Sequence, residues 1–199
     1  MNRPDLFGRV YDPVMELPER LGLERLRREA LRGLRGRVLE LGVGTGRNFP
    51  LYPDEVVRVV GIDPDEVMLR RARRRAEKAP FPAQAVAGSA EELPFEGASF
   101  DAVVGTLVFC TIPDPRKALR EARRVLRSGG ELRLLEHVRM EKRTVAWAQE
   151  KVTPLWKRLA GGCHLDRDTL ATVREADFEV ERVERRLDGL VLIIFARDL

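Results

Sequence analysis

Apolar positions in the first part of the chain recur every three or four residues. Over residues 5–34, Leu17, Leu21, Leu26 and later leucines are separated by Glu and Arg, which predicts helix. Pro13 and Pro18 are expected to break it into two or three pieces. Short apolar runs then predict strands over 38–41, 56–62, 83–87, 100–105 and 131–137. Amphipathic stretches between them predict helices over 65–78, with Val67, Met68 and Leu69 turned inward, and over 115–126, stopped by Ser128-Gly129-Gly130. Helices are expected again over 143–159 and 167–176. Strands over 178–186 and 190–197, joined by Asp188-Gly189, predict a closing hairpin. Strands alternating with helices indicate an α/β chain whose mostly parallel sheet of seven strands has helices on both faces.

The most informative stretch is Val38-Leu39-Glu40-Leu41-Gly42-Val43-Gly44-Thr45-Gly46, a buried strand running into three alternating glycines. A helix is expected to follow near Asn48. Glycine is needed where the backbone takes unusual dihedrals and where a ligand must lie against it with no Cβ between. The loop falls at the carboxyl end of a strand, where open α/β sheets bind ligands. Asp63 ends the second strand, twenty-one residues after Gly42. A carboxylate there can accept both hydroxyls of a ribose, in bonds worth ~1.5–3 kcal/mol each. Loop and carboxylate together point to an adenosine-containing cofactor; the bland alternative is a tight turn with no ligand.

Spacing narrows the choice. A dinucleotide fingerprint reads GxGxxG with a phosphate on the helix N-terminus, whereas this loop reads GxGxG. Glu40, two residues before the first glycine, would repel a pyrophosphate and suits a cationic ligand.

Composition adds limits. With 44% hydrophobic and 34% charged residues the chain can bury a core beneath a densely charged surface. Net charge is +4, yet thirty-one of the thirty-six basic residues are arginine, and only two Asn and two Gln occur. That pattern suggests a thermophilic source, and ion-pair networks then account for basicity that would otherwise suggest nucleic acid. Cys110 and Cys163 are distant in sequence, which argues against a disulfide framework or zinc knuckle. His137 and His164 are too few for a metal cluster unless carboxylates supply the rest, so no metal is expected. The longest apolar run, 190–196, is far short of the ~20 residues that span a membrane. No apolar signal core follows the first residues, and a cytoplasmic location is expected.

The loop VLELGVGTG, the GID at 61–63, GSAEELPF at 88–95, SFDAVV at 99–104 and ALREARRVLRSGGELRLLEHV at 118–138 resemble class I S-adenosylmethionine-dependent methyltransferases. The resemblance implies a Rossmann-like fold and S-adenosyl-L-methionine as cofactor. It implies binding by Gly42, Gly44, Gly46, Asp63 and the adjoining Pro64, with Met68 packed on the adenine. Ser89, Ala90 and Glu91 would stand at the adenine edge, although many members carry Asp where this chain has Ser89. GTLVFCTIPDPRKAL, LLEHV and PLWKRLAGGCHLDRDTL are similar to a subgroup that includes phosphatidylethanolamine N-methyltransferases and the methyltransferase-like 7 thiol methyltransferases. Quinone C-methyltransferases are more distant relatives, and Phe7 with Tyr11-Asp12 resembles their FxxxYD. On this reading one domain comprises a helical cap over 1–35, a cofactor core over 36–138, and acceptor-side helices and hairpin over 139–199.

Methyl transfer from a sulfonium is an in-line displacement, and orientation alone can account for ~7–11 kcal/mol of the barrier. An ammonium or thiol acceptor must still lose a proton. His137, ending the fifth strand, is either that base or a floor residue bonded to backbone. His164 lines the acceptor pocket or packs its loop, and Cys110 packs beneath the site. Thr106 is expected beside the methionine part of the cofactor, and Tyr11 either closes over that carboxylate or packs in the core. Gly105 to Cys110 lack the Asn/Asp-Pro-Pro-aromatic run of base-amine methylases, which disfavours DNA. The 143–159 helix, with Trp147 and Trp156, is a lid, a peripheral membrane contact or an ordinary cover. Arginines at 70–75 meet phosphates or form a solvated face. A small-molecule or lipid-like acceptor is the leading reading. The rivals are an RNA or protein methyltransferase, a nicotinamide oxidoreductase, and a non-catalytic cofactor-binding protein.

Overall fold

A computed structural model describes residues 3–198, with side chains from Tyr11 onward except that of residue 159. Phe7 therefore falls outside the described side chains.

The buried strands form one seven-stranded sheet. In chain order these are β1 (Gly36–Leu41), β2 (Val56–Asp63), β3 (Ala83–Ala87), β4 (Phe100–Thr106), β5 (Leu126–His137), β6 (Glu179–Arg186) and β7 (Val191–Arg197). Their order across the sheet is β3-β2-β1-β4-β5-β7-β6. β1 to β5 pair in parallel, while β7 runs antiparallel to β5 and β6. Val38 to Leu41, Val59 to Asp63 and Ala102 to Thr106 are buried without alternation, as parallel strands covered on both faces should be. One core collects Leu39, Phe100, Phe109, Leu119 and Leu132; another collects Val38, Phe49, Val59, Leu69 and Ala72. The helices are α1 (Arg3–Pro18), α2 (Glu24–Leu31), α3 (Glu66–Ala76), α4 (Pro115–Val125), α5 (Arg143–Leu159) and α6 (Thr169–Glu175).

Three expectations need correction. The first helix runs through Pro13, and the change of direction falls later, at Gly22 within the wide turn Glu19–Leu23. The α-helix does end at Pro18, as expected, and Gly22, at φ +128°, a value that only glycine takes at little cost, makes the bend that follows. No α-helix follows the glycine loop at Asn48. A single 3₁₀ turn, Phe49–Leu51, stands there instead, and the Asn48 side chain gives it no cap. Pro50 lies within the turn and Pro53 follows it, and neither can donate to extend it. Finally, β5 starts at Leu126, because the Ser128-Gly129-Gly130 segment is a bulge in the strand rather than a break before it. Gly129 takes φ +73° there, and the segment bonds to the chain end through Gly129 N–H to Asp198 O (3.0 Å) and Asp198 N–H to Gly130 O (3.0 Å).

α2 lays Ala30 against Leu135, Ile193 and Phe195, which carries the N-terminal segment across β5 and β7. Sheet order reverses between β1 and β4, and the loops leaving those two strands open a crevice at their carboxyl ends.

Candidate active site

Three glycines in the loop after β1 take positive φ: Gly42 at 60°, Gly44 at 54° and Gly46 at 80°. Their surroundings differ. A Cβ at Gly42 would stand 2.0 Å from Val108 Cγ2, and one at Gly46 would stand 2.8 Å from the Phe49 ring. Close packing explains those two. A Cβ at Gly44 would meet only the Gly42 carbonyl oxygen, at 3.9 Å, so of the three it alone leaves room above the backbone for another molecule.

Asp63 ties this loop to β2. Its Oδ2 accepts the Gly44 N–H at 2.9 Å, and its Oδ1 accepts the Asp65 N–H at 2.9 Å. Each oxygen keeps a further lone pair, so the carboxylate can hold the loop and still accept hydroxyls. Burial pushes its carboxyl above the usual range, against the pull of those two N–H donors. Asp65 in turn caps α3, accepting from Val67 N–H (2.7 Å) and Met68 N–H (3.2 Å). Met68 is buried and Pro64 exposed. After β3, Ser89 Oγ accepts the Glu91 N–H at 3.1 Å, Glu91 Oε1 accepts the Asp114 N–H at 2.8 Å, and Ala90 packs on the core.

Beneath the loop lies a buried polar chain. Glu40 accepts from Asn48 Nδ2 (2.9 Å) and the Tyr52 hydroxyl (2.9 Å). Asn48 Nδ2 also donates to Thr106 Oγ1 (3.0 Å), and Arg27 Nη1 donates to Thr106 Oγ1 (2.8 Å) and Asn48 Oδ1 (3.1 Å). Arg27 Nε reaches Glu19 at 3.0 Å. Burial pushes the Glu40 carboxyl up to about 7, opposed by the Tyr52 hydroxyl, the Arg27 charge and Asn48. Tyr11, beside Arg27 and Glu19, has its phenol pushed up by burial, with Arg27 pulling the other way. One residue on, Asp12 fastens α1 over the loop. Its Oδ1 accepts from Thr45 Oγ1 (2.8 Å) and Arg47 Nε (3.1 Å), and its Oδ2 from Arg75 Nη2 (3.0 Å). Partial burial raises the Asp12 carboxyl, but Thr45, Arg75 and Arg47 outweigh that and hold it below the usual carboxylate range. The arginines of α3 are thus partly engaged inward: Arg71 approaches Asp12 at 3.6 Å, and Arg73 pairs with Glu66.

At the ends of β4 and β5 the chemistry changes. Leu107 leaves β4 with φ +55°, a strained value for a side-chain-bearing residue. Glu136 Oε1 holds the next two amides, Val108 N–H at 2.9 Å and Phe109 N–H at 3.0 Å. Burial pushes the Glu136 carboxyl up to about 7 against those donors. His137 Nε2 lies 3.1 Å from Cys163 Sγ, while its Nδ1 is buried with no hydrogen-bond partner. Cys110 completes the group, its free thiol lying within 4.8 Å of the Cys163 sulfur and the His137 nitrogen. The Cys110 thiol and the His137 imidazole hold Cys163 well below the usual thiol range. Burial lowers the His137 imidazole, yet Cys163 and Glu136 raise it on balance. His164 points elsewhere: its Nδ1 is 3.7 Å from Asp166, and its backbone N–H bonds Cys110 O at 2.9 Å.

Residues 39–134 match the methyltransferase domain family. The chain is 37% identical over 164 residues to the human thiol S-methyltransferase TMT1B, covering 79% of this chain and 67% of the relative. It is 36% identical over 150 residues to a phosphatidylethanolamine N-methyltransferase of Cereibacter sphaeroides, covering 74% of this chain and 67% of that one. The chain belongs to the S-adenosylmethionine-dependent methyltransferases. A solved methyltransferase of that class from Thermotoga maritima superposes with a TM-score of 0.69 at 24% identity, covering 97% of this chain and 98% of the other. That likeness speaks to the fold alone. The chain spans about two thirds of the length of the three thiol methyltransferases it matches first, between 62% and 67%.

Of the residues expected to bind the cofactor, Gly44 and Asp63 are joined directly by a hydrogen bond, and Ser89 and Glu91 by another. Glu40, Asn48 and Thr106 sit in the buried layer beneath the glycine loop, bonded to one another. Sequence reasoning missed Arg27, Glu19 and Tyr52, since an arginine in a Glu/Arg-rich helix carries no mark of burial. It also passed over Glu136, a lone carboxylate at the end of an apolar strand, where burial could have been suspected.

The Glu40 environment gives a signed pH dependence. A buried carboxyl raised from 4.5 to about 7 is protonated in the native state while the unfolded chain ionises. Its contribution to stability is therefore fully present at pH 4.5 and below, falls as pH rises towards 7, and levels off above. Glu40→Gln removes that fall and adds a constant offset from one reversed hydrogen bond. Thermal unfolding at pH 5 and pH 8 should show the wild type losing on the order of 2 kcal/mol relative to the variant. A difference independent of pH would contradict the assignment.

Proposed function

We propose that the chain binds S-adenosylmethionine across Gly44 and Asp63 and methylates an apolar small-molecule or lipid acceptor. The observation that carries this reading is the open Gly44 backbone beside a carboxylate, in a loop that ends in a 3₁₀ turn. A pyrophosphate would need a helix N-terminus at that point, which disfavours the nicotinamide alternative. Bound there, S-adenosylmethionine supplies an electrophilic methyl group on a sulfonium.

The remaining work belongs to the chain. Asp63 accepts the ribose hydroxyls, Met68 packs on the adenine, and Ser89, Ala90 and Glu91 border its edge with Pro64 outside. Gly42 and Gly46 hold the loop's shape by packing, so that Gly44 can present backbone. Tyr11 and Thr106 face the amino-acid end, positioned by Arg27 and by Asn48 on Glu40. Asp12 keeps α1 closed over the loop and so excludes water. His137 and Cys163 take the acceptor's proton, because an imidazole–thiolate pair at the end of β5 has a place for it. The acceptor is apolar because α5 carries Trp147 and Leu155, each 61% exposed, with Val152 and Trp156 among Lys151, Lys157 and Arg158. Such a face suits an anionic lipid surface. Among the described residues no helix is long and apolar enough to cross a membrane. The relatives named for thiols and for a phospholipid headgroup support an acceptor of this kind. Arginine-centred ion pairs such as Asp12 with Arg47 and Arg75, and Glu29 with Arg25 and Arg186, support a thermophilic source.

Asp63→Ala should weaken S-adenosylhomocysteine binding at least tenfold in calorimetry, about 1.4 kcal/mol, with an unchanged circular dichroism spectrum. Unaltered affinity would remove the ribose assignment.

A panel of alkyl thiols, ethanolamine lipids in anionic vesicles, quinol precursors and RNA, incubated with methyl-labelled cofactor, tests the acceptor. Label is expected on a thiol, lipid or quinol and not on RNA. Labelled RNA alone would overturn the reading.

A further inference from the structure

Two cysteines and a histidine that lie far apart in the sequence converge at one end of the sheet. Cys110 follows β4, His137 ends β5, and Cys163 follows α5. One ligand atom from each, two sulfurs and an imidazole nitrogen, all lie within 4.8 Å of one another, with His137 Nε2 and Cys163 Sγ at 3.1 Å. Ligands of one tetrahedral zinc, with bonds of ~2.3 Å to sulfur and ~2.0–2.1 Å to nitrogen, stand roughly 3.5–3.8 Å apart. From separations of 3.1 Å to at most 4.8 Å, the group reaches that spacing by changes of about an ångström.

We propose that Cys110, His137 and Cys163 form a three-ligand site for a soft divalent cation, zinc by its chemistry, with the fourth position open to an acceptor thiol. Two thiolates and an imidazole select zinc over hard cations such as magnesium or calcium, which take oxygen. Three protein ligands with one open position is the arrangement of zinc sites that act on a bound molecule, whereas structural sites close all four. Both sulfurs ligate as thiolates, so binding releases protons to solvent.

The surrounding bonds hold the three ligands in place before any cation arrives. Glu136 fixes the amides of Val108 and Phe109, and the Arg167 guanidinium bonds Phe109 O and Ile112 O from the far side. The His164 N–H bonds the carbonyl of Cys110 itself. Gln149 Nε2 spans Val138 O and Leu165 O, each at 3.0 Å, joining the end of β5 to the loop that carries Cys163. Cys110 is 2% exposed and Cys163 9%, so solvent competes little for the ligand atoms. With the cation bound, His137 and Cys163 are ligands and no longer the base; a thiol at the fourth position then gives its proton to solvent and becomes a thiolate ligand, the form in which sulfur is nucleophilic. The cation site stands on geometry alone; only its use rests on the function proposed above.

Cobalt is the probe. Reduced, chelator-stripped protein given Co²⁺ without oxygen should bind one ion per chain, with thiolate-to-cobalt charge transfer in the near ultraviolet and visible bands of a tetrahedral ion. Zn²⁺ should displace it and remain at one per chain through gel filtration. Cys110→Ser and Cys163→Ser should each remove about half the charge-transfer intensity and weaken binding at least tenfold, and His137→Ala should weaken binding while keeping that intensity. Cobalt bound without charge-transfer bands, less than one ion in two chains, or a signal that survives the double Cys→Ser variant would overturn the site. The wild-type spectrum decides even if the variants fail to fold. S-adenosylhomocysteine binding in the same samples separates the claims: retained without cobalt, it leaves the methyltransferase reading standing and removes only the cation. Cobalt binding without S-adenosylhomocysteine binding would do the reverse.

Discussion

Backbone N–H groups where strands end in loops must find acceptors, and in this chain carboxylates meet that need. Asp63 takes the amides of Gly44 and Asp65, Glu136 takes those of Val108 and Phe109, Glu91 that of Asp114, and Glu121 that of Leu93. Each bond joins two segments that are separate in the chain or fixes a loop against its own strand. An unmade bond of this kind in a buried place costs about 1–3 kcal/mol. The crevice therefore owes its shape to side chains whose charge also suits them to ligand work. Asp63 serves both ends at once, since its oxygens hold the glycine loop while lone pairs remain for hydroxyls.

Desolvation and charge are balanced differently on the two sides. Under the glycine loop, Glu40 is raised by burial, and Asn48, Tyr52 and Arg27 make that tolerable. Over the loop, Asp12 is surrounded by Arg47, Arg71 and Arg75 and stays ionised more readily than a free carboxyl. A neutral layer below and an ion-paired cap above give the loop a firm floor and a cap held by exchangeable ion pairs. At the ends of β4 and β5, sulfur joins oxygen as the polar atom, in Cys110 and Cys163 beside His137.

Much of this was legible in the chain itself. The short apolar run placed β3 and the helical pattern placed α5 at their observed bounds, and the glycine loop and Asp63, singled out in the sequence, are joined in the structure by the Gly44 N–H. The errors share a cause, which is that local patterns do not report what a side chain meets after folding. Pro13 stays within α1 and Gly22 makes the bend that follows Pro18, while a 3₁₀ turn stands where a helix was expected after Asn48, whose side chain bonds Glu40 and Thr106. Cys110, His137 and Cys163 could not be read as a group, because spacing rules for ligands apply to neighbours in sequence and these come from the loop after β4, the end of β5 and the loop after α5. Arg27 was invisible for the opposite reason: among thirty-one arginines, only burial distinguishes it.

A nucleoside held between the Gly44 backbone and Asp63 beneath α1 is what the proposed function requires. Amide hydrogen exchange with and without S-adenosylhomocysteine tests this directly. Slowed exchange is expected over residues 42–46 and 63–68 and along the N-terminal helices from residue 11 to 31, with no such change on adding NAD. Protection by NAD at these amides, or none from S-adenosylhomocysteine, would contradict it.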